Sequence, residues 1–116
     1  MNDLATRLFN FSVKTLKLTS KLPDTPEFKV IRYQLAKSAT SCGANYEEAQ
    51  SGSTKADFAH KIRITLREMR ESNYWLRTMK SFSTDYFNSD KLNYLIDESN
   101  QLRKILATIL NKTTNH

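Results

Sequence analysis

An all-α, antiparallel up-down-up-down four-helix bundle is the fold class this chain predicts, on three observations. At 116 residues it has room for one domain, spanning 1–116. It carries 2 Gly and 2 Pro, well below the usual share of each, so helix breaks are few and short loops are expected. Its apolar residues recur at alternating three- and four-residue spacings, the period of one buried helical face. No strand alternation, internal repeat or low-complexity tract competes with that pattern.

The first helix is expected over about 3–21, beginning near Asp3 and ending before Pro23, with Leu4, Leu8, Phe11, Val13 and Leu16 as its apolar positions. The stretch LPDTPEF then breaks the chain. Thr25 can cap the next helix and Pro26 can take its first position, where the missing N–H costs nothing. The second helix is expected over about 26–50, with a seam of Phe28, Ile31, Leu35, Ser38, Cys42, Asn45 and Ala49. SGST ends it. Thr54 caps the third, over about 55–82, with Asp57 placed for a capping box. Its seam is Phe58, Ile62, Thr65, Met69, Ser72, Leu76 and Met79. SFSTDYFNSD reads as a loop in which Tyr86 and Phe87 plug the end of the core. Ser89 caps a fourth helix over about 90–111, lined by Leu92, Leu95 or Ile96, Ser99, Leu102, Leu106 and Ile109, after which KTTNH should fray. Loops this short force consecutive helices to run antiparallel.

The second helix becomes small in its middle, at Ala36, Ser38, Ala39, Ser41, Cys42, Gly43 and Ala44. Gly costs about 1 kcal/mol against Ala inside a helix, so Gly43 implies a close backbone approach, either to a helix of the same bundle or to another subunit. Asn45 lies on the seam and needs partners if buried. A hairpin turning near Gly52 and Ser53 places Asn45 near His60 and Lys61, Gln34 near Glu71, and Ser38 near Arg67. With Glu48, the residues Gln34, Ser38, Asn45, His60, Lys61 and Glu71 form an expected structural polar network that sets register. Asn45 itself is expected to be largely buried and bonded to the third helix or to another subunit.

These same stretches, RYQLAKSATSCGANYEEAQ and DFAHKIRITLREMRESNYWLRTM, resemble the four-helix-bundle proteins named for intervening sequences in 23S ribosomal RNA genes. The matching positions are Gln34, Leu35, Ser41, Gly43, Ala44, Asn45, Glu48, Ala49, Asp57, Phe58, Lys61, Glu68, Glu71, Trp75 and Leu76. They run from Gln34 to Leu76, and the helix count agrees along the rest of the chain. Cys42 stands where Ile or Val is usual, a packing change. The resemblance implies a small bacterial cytoplasmic protein that forms a ring-shaped homo-oligomer, a pentamer. It also implies kinship with the accessory proteins of diversity-generating retroelements, basic pentameric bundles that work with a reverse transcriptase and RNA. It brings no settled activity, and the ribosomal label records gene location.

Charge and chemistry narrow the function classes. The 18 basic residues exceed the 12 acidic ones and leave a net charge of +6, which favours acidic partners, RNA first among them. Arg63, Arg67, Arg70, Tyr74 and Arg77 form one stripe at helical pitch, able to track a phosphate backbone with Tyr74 as a stacking face. The competing reading is a solvated flank neutralised by pairs such as Arg67 with Glu71, or intersubunit salt bridging. Glu47, Glu48, Glu68 and Glu71 raise a di-metal reading, but bundle iron sites use paired Glu-x-x-His motifs. Here only Asp57-x-x-His60 approaches that pattern, and Asp57 is better explained as a cap. Cys42 sits on the core seam without a local His, so no tuned nucleophile is expected. There is no phosphate-cradling Gly loop and no zinc spacing.

One cysteine excludes an intramolecular disulfide and suits a reducing compartment. The opening MNDLATRLFNFSVK has neither the leader nor the apolar run of a secretory signal, and no stretch approaches the ~20 apolar residues of a membrane span, so a cytoplasmic location is expected. Ile64, Leu66 and Trp75 lie off the third seam, and Val30, Ala39, Gly43 and Tyr46 beside the second. That apolar excess predicts burial between subunits, where about 800 Å² per partner is standard. The expectation is a non-enzymatic, homo-oligomeric bundle that needs no cofactor and binds RNA or an RNA-associated protein. The alternative is an assembly scaffold without nucleic-acid binding.

Overall fold

In the computed structural model, residues 3–52, 54–82 and 88–114 are described. They form four helices, α1 (Asp3–Thr19), α2 (Pro26–Ala49), α3 (Lys55–Phe82) and α4 (Ser89–Thr114), with no strand among the described residues. α2 packs on α1 and α3, and α4 packs on α3 and α1. The close approaches follow the ring of neighbours and skip both diagonals, which is the square of an up-down-up-down bundle. The rod measures 47 × 23 × 21 Å. Tyr86 and Phe87 lie outside the described residues.

Capping residues start three of the helices. Thr25 is extended (φ −108°, ψ 158°) and its side chain accepts the Phe28 N–H, with Pro26 opening the helix. Thr54 Oγ1 accepts the Asp57 N–H at 3.1 Å. At α4 the cap is Asn88, one residue earlier than expected. Its side chain accepts the Lys91 N–H at 3.1 Å and its carbonyl accepts the Leu92 N–H. Asn caps as well as Ser does, so Ser89 becomes the first helical residue. α4 also continues to Thr114 instead of fraying after Asn111. The Thr113 and Thr114 hydroxyls bond back to the Ile109 and Leu110 carbonyls at 2.8 and 2.9 Å.

α1 stops at Thr19, short of the expected end. The next residues tighten into i→i+3 bonds, Lys21 N–H to Leu18 and Leu22 N–H to Thr19. Arg32 of α2 then donates to the carbonyls of Thr19, Leu22 and Pro23. One guanidinium thus ties together the last carbonyl of α1, which also accepts the Leu22 N–H, and two carbonyls of the loop after it.

The buried face of α1 corrects the sequence reading. It runs Leu8, Phe11, Thr15, Leu18 and Leu22, while Leu16 is 42% exposed and Val13 only half-buried. A four-three spacing that keeps Leu8, Phe11 and Leu18 inward must pass through Thr15, although Thr15 is polar and its buried hydroxyl finds no partner among the described residues. The α2 and α3 seams are buried as expected, apart from half-buried Asn45 and Phe58. In α4, Leu95 rather than Ile96 faces inward, and Ile109 is half-buried. Each fully buried Leu in this core contributes about 1.5–3 kcal/mol.

Gly43 answers to α1. A Cβ built there would sit 3.7 Å from the Leu8 backbone and Cβ, so the close approach lies within one chain. Ala39 and Tyr46, on the same face, are buried too, as is Leu66 of α3. A helix with two packed neighbours buries a stripe wider than its seam. Much of the supposed apolar excess is therefore enclosed by the bundle itself. Val30 remains 52% exposed, and Ile64 and Trp75 are half-buried.

Candidate nucleic-acid interface

The α3 seam sets where its charges point. Arg63, Arg70 and Arg77 each follow a buried seam residue, Ile62, Met69 and Leu76, at seven-residue intervals. They form one row, and Arg67 with Tyr74 forms a second row farther from the core. All five are exposed, so the structure brings the expected stripe together on one face.

Within it, the Arg77 Nε–H donates to Asn73 Oδ1 at 2.8 Å, and the Arg77 guanidinium lies 5.9 Å from the Tyr74 ring centroid. Tyr74 meets Trp75 edge-on at 5.2 Å. Arg67 pairs with Glu68 at 3.7 Å, not with Glu71. Glu71 instead accepts the Trp75 Nε1–H at 3.5 Å. Arg67 is the exposed member of that pair and Glu68 the half-buried one, and at 3.7 Å the contact leaves most of the Arg67 guanidinium facing solvent. Burial raises the Glu68 carboxyl pKa and the neighbouring Glu71 adds to the rise, against the opposing pull of Arg67 and Lys37.

Two asparagines and an arginine that sequence reasoning missed extend this face onto α4. Asn73 is buried beside the seam. Its amide donates to Ser99 Oγ at 2.8 Å and to Asn100 Oδ1 at 3.2 Å. Arg103 donates to the same Asn100 oxygen at 3.2 Å. The signal was present: each Asn directly follows a seam serine, Ser72 and Ser99. Reading it required the antiparallel height match of α3 and α4.

The expected α2–α3 network forms differently. Ser38 meets Ser72 at 2.8 Å in place of Arg67, a displacement of five residues along α3. Lys61 pairs with Glu48 at 3.1 Å. Asn45 is half-buried and donates to the Ser41 carbonyl and hydroxyl, both at 2.9 Å, within its own helix. His60 is exposed and Gln34 half-buried; neither meets the partner expected for it. The loop between the two helices is tight. Gln50 N–H bonds Glu47 and Ser51 N–H bonds Glu48, a tightened i→i−3 end to α2 before Gly52 takes φ 86°. The Ser38–Ser72 contact shows that α3 sits displaced along its own length from the expected register.

Cys42 is fully buried and its thiol donates to the Ser38 carbonyl at 3.2 Å. Burial pushes its pKa far up, which suppresses the thiolate. Among the described residues, no three His, Cys, Asp or Glu side chains gather as a metal site. A second basic surface lies between α1 and α4, where Lys14, Lys17, Lys21 and Lys91 line a groove and Lys14 Nζ sits 4.5 Å from the Tyr94 ring centroid. No described helix is long and apolar enough to cross a membrane.

The family model described as 23S rRNA-intervening sequence protein matches residues 2–108. The chain belongs to that family. The 23S rRNA-intervening sequence protein family is thereby the frame for the four helices, and a solved structure agrees with it. A crystallised protein of unknown function from the S23 ribosomal protein family of Bacteroides thetaiotaomicron VPI-5482 is 29% identical, with a TM-score of 0.80 over 92% of this chain and 97% of that one. No curated protein matches.

Proposed function

We propose that this family member is a non-enzymatic, homo-oligomeric cytoplasmic bundle that binds RNA through the basic face of α3. The observation that carries the reading is the exposed stripe of Arg63, Arg67, Arg70, Tyr74 and Arg77, with the α3 acids Glu68 and Glu71 engaged beside it. Guanidiniums at helical pitch suit a phosphate backbone, and the Tyr74 ring offers a stacking surface. Fluorescence anisotropy with a generic single-stranded RNA at stepped salt tests this. Affinity should fall linearly on logarithmic axes, by about 0.7 per phosphate contact, and changing the four stripe arginines to Glu should abolish binding. Wild-type chain that ignores RNA but captures an RNA-associated protein would move the partner from RNA to that protein.

The assembly scaffold is the second reading, favoured by exposed Phe9, Leu16, Val30 and Tyr33 on α1 and α2. Such side chains fit a contact with a second copy, and ring closure would avoid open fibres. The ring of five rests on the family resemblance. Light scattering should report an assembly, and a species of 13.5 kDa at micromolar concentration would refute one. Assembly without salt-dependent RNA binding would leave the scaffold reading in place.

A further inference from the structure

We infer that Arg77 of α3 and Arg103 of α4 form a two-guanidinium cradle for one backbone phosphate of RNA, positioned by the amide pair Asn73–Asn100 that joins them. This rests on the RNA-binding reading above and adds to it a residue of α4 and a positioning device.

A chain of bonds connects the two arginines. Arg77 Nε donates to Asn73 Oδ1 at 2.8 Å, Asn73 Nδ2 to Asn100 Oδ1 at 3.2 Å, and Arg103 Nη2 to the same oxygen at 3.2 Å. Asn73 is buried and further tied to Ser99 Oγ, so the pair stands on the rigid seam. Both arginines are thus anchored by neutral amide oxygens.

Neither guanidinium meets a carboxylate among the described residues. The ion pairs of the bundle lie elsewhere, and on α4 Glu98 turns to Arg7 of α1 while Asp97 accepts from Gln101. A guanidinium carries five N–H donors. Arg77 and Arg103 each spend one on an amide, and Arg103 Nε is buried with no acceptor. That buried Nε is out of a ligand's reach. The donors that count are the remaining terminal N–H groups of two like-charged guanidiniums held by one amide pair, which match the planar, forked recognition of a phosphate. Arg70 lies about two turns away along α3, in a separate groove beside Ala107 and Thr108, and offers a further contact along a strand. The arrangement also distinguishes this side of α3 from the Glu48–Lys61 side, where opposite charges cancel.

The test uses the full chain and a fluorescent twelve-nucleotide oligouridylate. Arg77→Gln and Arg103→Gln should each weaken binding about tenfold and flatten the salt slope by about 0.7. Asn100→Ala should weaken binding about threefold with the slope unchanged, because it removes positioning and no charge. Lys21→Gln, on the α1/α4 groove, should leave both quantities alone. Arg77 is exposed, so Arg77→Gln keeps the test open even if Arg103→Gln unfolds. If wild type binds RNA and Arg77→Gln binds equally well, or if Lys21→Gln weakens it as much, the cradle is overturned and RNA binding stands. If wild type ignores RNA while the ¹⁵N–H resonances of Arg77 and Arg103 shift saturably with inorganic pyrophosphate, the cradle stands and its RNA occupant falls. If neither probe acts, both fall.

Discussion

Ser38 Oγ lies 2.8 Å from Ser72 Oγ across the α2/α3 seam, and both side chains are buried. Each hydroxyl also lies within bonding distance of a carbonyl of its own helix, Ser38 to Leu35 at 3.3 Å and Ser72 to Glu68 at 2.9 Å. With one proton per hydroxyl, the shorter contacts assign Ser72 to Glu68 and Ser38 to Ser72. Ser38→Ala and Ser72→Ala should each cost about 1 kcal/mol, and the double variant less than their sum, because it leaves no unmatched partner across the seam. Urea unfolding of the three variants measures the coupling. Strict additivity would show that the pair does not hold the register.

Gly43 faces the Leu8 backbone at a distance that a methyl group tolerates. Gly43→Ala should therefore stabilise the protein, by about 0.5–1 kcal/mol through helix propensity. Gly43→Arg should instead part α1 from α2 and lower the thermal midpoint. A Gly43→Arg protein that melts as wild type does but sediments as a smaller species would return Gly43 to a subunit contact.

Glu68 offers a pH test. Its folded pKa is raised, by burial first and then by Glu71. The folded state thus holds this proton more tightly than the unfolded chain, whose carboxyl titrates near about 4.3. The resulting stabilisation is present below that value and is lost as pH rises through the folded pKa. Glu68→Gln should accordingly melt higher than wild type at about pH 7, with the gap closing by about pH 4. A lower midpoint for Glu68→Gln at neutral pH would mean that the Arg67 contact outweighs burial.

Cys42 should resist thiol reagents in the native state, since its thiol is buried, bonded to the Ser38 carbonyl and held far from ionisation. Labelling with an aromatic disulfide at about pH 8, where a free thiol is partly ionised, should be slow and should accelerate with urea in step with unfolding. Fast labelling without denaturant would contradict the packing described for the seam.

Much of what acts locally was legible, although the α4 cap proved to be Asn88 instead of Ser89. Thr25 with Pro26 and Thr54 with Asp57 mark the starts of α2 and α3 by short-range bonds, and the absence of Gly and Pro from 55–82 gave α3 its full length. The stripe from Arg63 to Arg77 was legible because its seven-residue spacing is a property of one helix. Arg103 was not, because its meaning depends on Asn100 lying opposite Asn73. α1 misled because Val13 and Leu16 are more apolar than Thr15, yet Thr15 sits in line with Leu8, Phe11 and Leu18.

By itself, then, the sequence determined four helices, their approximate ends, three of the four core seams and the family. Only the tertiary structure decided that Ser38 meets Ser72, that Gly43 meets Leu8, that Asn45 bonds its own helix, and that two arginines share an amide pair across α3 and α4. The reason is physical. Periodicity and capping act over three or four residues and leave their mark inside each segment. The axial offset between helices depends on the path of the connecting loop and on packing across the seam, such as the Ser38–Ser72 contact, which can slide one helix past another without altering the pattern of either.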